Sequence, residues 1–166
     1  GQITSGSYDV VGIKAIDPDK KTLYYLSCEI SPMERHLFSV KFNGKGKKQL
    51  TSTTGNHRVN VAPEGRYFID SYSSTSIPST IDLKDGKGNQ IKNLAGHQAA
   101  MKHLEEYKYA PRELFTFTTS DGQLIDGYLI KPMDFDSTKS YPLLMAVYGG
   151  PGSQGVYNTF ESSAWN

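Results

Sequence analysis

The chain has 166 residues, of which 37% are hydrophobic and 21% charged, and its formal net charge is +1. It is long enough for one domain or two small ones, and its near-neutral charge argues against nucleic acid or a membrane surface as a partner. The basic residues Lys45, Lys47 and Lys48 alternate with Gly44 and Gly46, a pattern that predicts a solvated turn.

The sequence contains no sign of a metal centre or a cofactor site. The single cysteine, Cys28, excludes an intrachain disulfide and lies in an apolar run, where we expect it to be buried. The four histidines are His36, His57, His97 and His103, and their spacing fits no common zinc motif. We therefore expect them to be surface residues or satisfied packing residues. No stretch reaches the ~20 apolar residues of a membrane span.

Two stretches of the N-terminal half resemble each other. Pro18 and Pro63 each lie in a turn that leads into a predicted strand, and they are 45 residues apart. Gly44 and Gly86 follow Asn43 and Asp85 in two Gly-Lys-Gly turns, 42 residues apart. A β-rich repeat of about 40–50 residues is typical of propeller blades. The pattern alone leaves open an unrelated sandwich with a chance similarity.

Each repeat is predicted to hold four short antiparallel strands. Asn-Gly and Asp-Gly are strong hairpin signals, and the proline turns separate the other strands. The predicted strands are Val10–Ala15, Thr22–Glu29, Leu37–Phe42 and Lys47–Thr51 in the first repeat, and Arg58–Val61, Tyr67–Tyr72, Ser79–Leu83 and Gln90–Leu94 in the second.

Three further elements follow in chain order. Residues Gln98–Tyr107 contain no glycine or proline and predict a short connecting helix. A hairpin is predicted from Glu113–Thr119 and Leu124–Lys131, joined at Asp121-Gly122. The apolar run Leu143–Val147 predicts a central strand buried on both faces, because it is short, continuous and closed by a glycine-rich loop.

The loop after that run carries the most specific motif. In α/β-hydrolases, the loop after the third strand supplies part of the oxyanion hole. The segment Tyr141–Gln154 resembles the prolyl oligopeptidase clan, and most of all its dipeptidyl peptidase IV family. The family segment also runs Tyr-Pro-Leu-Leu, then Val-Tyr, a glycine, a proline and Ser-Gln. The resemblance implies that Tyr148 donates its hydroxyl to the tetrahedral intermediate, within an oxyanion loop that includes Gly149, Gly150, Pro151 and Gln154.

The resemblance implies a mainly β fold, in which two β-propeller-type blades precede the first strands of an α/β-hydrolase domain. The expected domains are the C-terminal blades of a propeller at 1–97 and a truncated N-terminal part of the catalytic domain at 98–166. The chain contains no Gly-x-Ser-x-Gly elbow, since Pro151 stands where the first glycine of Pro151–Gly155 would be. We therefore expect no nucleophile, base or acid in this chain, and no activity from it alone.

The implied parent is a serine peptidase that releases Xaa-Pro dipeptides from peptide N-termini. Its partners would be a peptide substrate and the remainder of the parent chain, and the resemblance suggests an extracytoplasmic location, in the periplasm or at the cell surface. Exposed sheet edges predict self-association. Two alternatives remain open: a stand-alone β-rich binding or assembly module, and a fragment of another clan member, an oligopeptidase or an acylaminoacyl peptidase.

Overall fold

Two four-stranded antiparallel sheets form the N-terminal part of the chain. The computed structural model describes residues 1–107, 109–150 and 152–160. The first sheet has strands in the order β1-β2-β3-β4 and the second has them in the order β5-β6-β7-β8, so each is a simple meander. This confirms the repeat predicted from the two sets of turns.

The first sheet is bounded by the turns that the sequence predicts. Its strands are β1 (Val10–Asp17), β2 (Thr22–Ser27), β3 (His36–Lys41) and the two-residue β4 (Lys48–Gln49). The backbone N–H of Lys20 donates to Asp17 Oδ1 at 2.8 Å and closes the turn between β1 and β2. Gly44 takes a φ of +78° in the turn after β3, a conformation that glycine adopts without strain.

The second sheet follows directly. Its strands are β5 (Asn56–Val61), β6 (Tyr67–Ser74), β7 (Ile77–Asp85) and β8 (Gln90–Ala95), with a 3-10 turn at Pro63–Gly65 between the first two. Asp85 Oδ1 accepts backbone hydrogen bonds from Lys87 and Asn89, each at 2.9 Å, which explains why the chain turns after β7.

A shared core joins the two sheets. Both faces of β2 contribute buried side chains, because Tyr25 packs on one side and Tyr24 and Leu26 pack on the other. The main cluster draws on both sheets and comprises Tyr24, Leu26, Leu37, Leu50, Val59 and Phe68. The two meanders therefore pack as neighbouring units.

The connecting helix and the hairpin are also confirmed. Helix α1 spans Gln98–Glu106, and the hairpin pairs β9 (Glu113–Thr118) with β10 (Leu124–Leu129). Both elements are mostly exposed, and none of the helix residues is buried.

Two expectations are wrong. Leu143–Val147 forms no strand, and the side chains of Leu143, Leu144 and Val147 are 74–79% exposed. A central strand needs hydrogen-bonded neighbours on both sides. Within the described residues no strand lies beside this run, so its apolar composition alone does not order it. Cys28 is partly exposed rather than buried, because it lies just beyond β2.

Candidate functional site

The candidate site lies at one end of the two sheets. Because neighbouring strands run in opposite directions, the loops at 28–35, 50–55 and 75–76 all emerge at the same end. The segment at 152–160, which follows the Tyr148 loop, makes its contacts with this end of the sheets. A cavity of about 330 Å³ lies there, lined by hydroxyl side chains at 53–54 and 74–76 and by Asn158.

Asn158 is the most deeply seated residue of that segment, with 6% of its surface exposed. Its backbone N–H donates to the Met33 carbonyl oxygen at 2.9 Å. Its side-chain Nδ2 donates to Glu34 Oε1 at 2.7 Å, and its Oδ1 accepts from the Thr75 backbone N–H at 2.9 Å. One side chain therefore bridges loops of both sheets.

Gln154 makes a second attachment to the same loop. Its Oε1 accepts from Arg35 Nη2 at 2.9 Å, and its Nε2 donates to the Pro32 carbonyl oxygen at 2.8 Å. Arg35 also lies over the Tyr157 ring, 5.4 Å from its centroid. The segment is thus held at two points four residues apart.

Glu34 is fixed by the sheets themselves. Its Oε2 lies 2.8 Å from His36 Nε2, and His36 Nδ1 donates to the Thr51 carbonyl oxygen at 2.8 Å. Burial raises the pKa of the Glu34 carboxyl, but hydrogen bonds from His36 and Asn158 outweigh it, so the pKa is lower than usual. The carboxylate that receives Asn158 is therefore held in its charged form.

A buried charge cluster lies behind this contact. The His36 ring is 4.8 Å from the His57 ring, and His57 Nδ1 is 2.7 Å from Asp70 Oδ1. Lys84 Nζ donates to Asp70 Oδ2 at 2.8 Å. Burial raises the pKa of Asp70, but His57 and Lys84 outweigh that effect, and the net result is a pKa below the ordinary value.

The predicted oxyanion residues are only partly brought together. Tyr148 is 60% exposed and does not follow a strand, contrary to the expectation that it closes one. A Cβ added to Gly150 would lie 3.1 Å from the Tyr148 hydroxyl oxygen, so the ring is close to the backbone of its own loop. Gly149 is exposed with open space around it, and Pro151 lies outside the described residues. Gln154 is the member of the set that contacts the sheets.

Tyr148 lies exposed in a glycine-rich loop. An exposed phenol in a glycine-rich loop is a hydrogen-bond donor that can be aimed at a negatively charged oxygen.

In the described part of the chain, no group of three or more histidine, cysteine or acidic side chains could hold a metal ion. Among the same residues, no helix has the length and apolar character needed to cross a membrane.

Sequence reasoning missed the residues that hold the segment. Glu34 and Asn158 are 124 positions apart, and His36 and His57 belong to different sheets. None of these pairs has a local sequence signature. His36 and His57 are satisfied packing residues and His103 is a surface residue, which are the two outcomes that the sequence predicts. His36 and His57 also belong to a connected polar cluster.

Comparison with known proteins gives a consistent result. Residues 1–79 match the family described as the dipeptidyl peptidase IV N-terminal region. The chain is 30% identical over 168 residues to a probable dipeptidyl peptidase 4 of Arthroderma benhamiae, covering 99% of this chain and 21% of that protein. It is 30% identical over 163 residues to a probable dipeptidyl-aminopeptidase B of Penicillium rubens, covering 95% of this chain and 18% of that protein.

The fold comparison extends the match to a solved structure. The crystal structure of Porphyromonas gingivalis dipeptidyl peptidase 4 matches with a TM-score of 0.87 and 29% identity, over 96% of this chain and 22% of that one. The chain thus spans about a fifth of the length of the curated relatives it matches. Its two four-stranded meanders and the elements that follow them are therefore similar in fold to the matching part of that dipeptidyl peptidase 4.

Proposed function

We propose that this chain is part of a serine dipeptidyl peptidase that removes Xaa-Pro dipeptides from the free amino ends of peptides. The observation that carries the proposal is the match over nearly the whole chain to proteins named dipeptidyl peptidase 4 and dipeptidyl-aminopeptidase B. The Tyr148 loop would supply the hydrogen-bond donor that this reaction needs. The chain would act together with the rest of a longer protein, which is its second partner besides the peptide substrate.

The proposed domains are two propeller blades at 1–97 and the start of an α/β-hydrolase domain at 98–166. Two features support it: the two meanders end at Ala95, and a separate hairpin begins at Glu113. The exposed run Leu143–Val147 would be covered by neighbouring strands of the hydrolase sheet in the longer protein. The apolar composition of the run is the one expected for a strand that is buried on both faces of such a sheet.

In the proposed reaction, Tyr148 stabilises the oxyanion. Nucleophilic attack on the peptide carbonyl places negative charge on its oxygen, and a donor aimed at that oxygen lowers the barrier by about 2.7–4 kcal/mol. The sequence contains no Gly-x-Ser-x-Gly, so the nucleophile of the proposed reaction comes from outside these 166 residues. Gly149, Gly150, Pro151 and Gln154 complete the loop that carries the donor.

The outer strands offer a further partner surface. Val11, Ile13 and Ile16 of β1 are each more than half exposed, and β1 lies at one edge of its sheet. Unpaired edges with apolar side chains bind other strands. We propose that this edge is occupied by the remainder of the parent protein, with self-association as the result when that partner is missing.

A substrate panel tests the function. The full-length protein that contains this chain should hydrolyse Gly-Pro anilide and should fail on the same compound with a blocked amino group. Rapid hydrolysis of the blocked compound would instead favour an oligopeptidase or an acylaminoacyl peptidase. Failure on every compound would favour a binding module. The isolated 166-residue chain serves as the control and should show no turnover.

A further inference from the structure

Both polar groups of the Asn158 side-chain amide are hydrogen-bonded, and each has a different partner. Its NH₂ group faces the Glu34 carboxylate, and its carbonyl oxygen faces the Thr75 backbone N–H. Both partners are held independently, since Glu34 is fixed by His36 and Thr75 belongs to the β6–β7 turn. The site therefore requires a donor on one side and an acceptor on the other.

The loop that needs holding is close in sequence. Tyr148 precedes Gln154 by six residues, and three of the intervening residues are glycine. Such a loop has many accessible conformations, because glycine restricts the backbone least. On its C-terminal side, the contacts of Gln154 and Asn158 with the sheets are among the attachments that limit where the loop can lie.

The geometry points to Asn158 as a positioning residue that fixes the Tyr148 loop on the end of the two sheets through Glu34 and Thr75. This inference rests on the proposed function, because it assigns a purpose to the loop. Its physical basis is that a catalytic donor must be held within about 0.5 Å of its productive position. The sheets, through Glu34, supply that constraint from 124 residues away.

Two single variants and their combination test the donor–acceptor order. Asn158→Asp places two carboxylates against each other. Glu34→Gln leaves one acceptor oxygen where the carboxylate has two, so its NH₂ group faces either His36 Nε2 or the NH₂ group of Asn158. In the double variant the NH₂ group at position 34 faces a carboxylate at position 158, which still accepts from Thr75. The clash is removed while the number of carboxylates stays the same.

The chain provides a matched control in Asn93. Its Nδ2 donates to Asp82 Oδ1 at 2.8 Å, the same amide–carboxylate pairing, but within β7 and β8. Asn93→Asp therefore creates a similar repulsion far from the contacts of the 152–160 segment. It should lower stability less than Asn158→Asp does, because Asn93 is exposed and Asn158 is buried, and it should leave kcat unchanged.

The variants are compared in the full-length protein by Gly-Pro anilide kinetics and by amide hydrogen exchange at 148–154. We expect Asn158→Asp to lose about 10- to 100-fold in kcat, since small misplacements near reacting atoms have effects of this size, and Glu34→Gln to lose less. KM should change little, exchange at 148–154 should accelerate, and the double variant should recover most of both losses.

Several outcomes would overturn the assignment. These are wild-type kcat in Asn158→Asp, an equal loss of kcat in Asn93→Asp, or a double variant whose kcat is no higher than that of Asn158→Asp. Tyr148→Phe separates the two proposals. If that variant keeps full activity, the oxyanion role fails, and the exchange data still decide whether Asn158 holds the loop.

Discussion

The buried carboxylate of Asp70 allows a quantitative prediction for Asp70→Ala. Its side chain is fully buried and contacts two groups, His57 at 2.7 Å and Lys84 at 2.8 Å. The side chain of Lys84 is itself only 8% exposed. Removal of the carboxylate leaves a buried ammonium without this ion-pair partner, with the centroid of the Tyr72 ring 5.7 Å away.

The expected loss is about 3–5 kcal/mol of unfolding free energy, which is the usual effect of removing one partner from a buried ion pair. For a chain of this length it corresponds to a fall in Tm of roughly 6–20 °C. Urea unfolding followed by far-UV circular dichroism measures the change. Glu64→Gln is the control, because its ion pair with Arg66 is exposed and contributes only about 0–1 kcal/mol. A loss for Asp70→Ala no greater than that of the control would refute the reasoning.

Two further predictions concern the same region. The pKa values of Asp70 and Glu34 are lowered by folding, so the folded chain binds fewer protons than the unfolded chain in acid. Unfolding free energy should therefore be highest above about pH 4 and fall as the pH drops through the folded-state values, with a shallower fall in Asp70→Asn. Urea unfolding at several pH values measures the change. An equal slope of unfolding free energy against pH in the wild-type chain and in Asp70→Asn would contradict this. Gly55→Ala should destabilise the chain clearly more than Gly122→Ala. Both positions have a positive φ, but a Cβ at Gly55 would lie 2.2 Å from the Ser73 carbonyl oxygen, whereas a Cβ at Gly122 would meet open space. Gly122→Ala should cost only the backbone strain of about 1–2 kcal/mol, and similar Tm values for the two variants would be evidence against the close packing at Gly55.

The fold was largely predictable because its determinants are local. Turns such as Asn43-Gly44 and Asp85-Gly86 are specified by their own residue types, and the strands lie between the turns. Burial on both faces of β2 also agrees with its apolar sequence. These signals lie within a few residues of the structure they determine, so the sequence alone was sufficient.

The two wrong expectations have a common physical cause. Leu143–Val147 has the composition of a central strand, but composition specifies burial and not the partner that provides it. The apolar run before Cys28 predicts burial, whereas the position of Cys28 just past the end of β2 leaves it partly exposed. In both cases the environment depends on what lies beside the residue in space.

The site was predictable only in part. The motif at Tyr148 is contiguous and therefore visible in the sequence. The contacts of Asn158 with Glu34 and Thr75 join positions 124 and 83 residues apart, and no periodicity or spacing rule connects them. The same holds for the contact between His36 and His57, which forms only when the two sheets pack.

The oxyanion role of Tyr148 is tested most directly by kcat for Gly-Pro anilide in the full-length Tyr148→Phe protein. Because the variant removes one hydroxyl and keeps the ring, we expect kcat to fall by about 10²–10³ with a small change in KM. A kcat that stays close to the wild-type value would contradict the account.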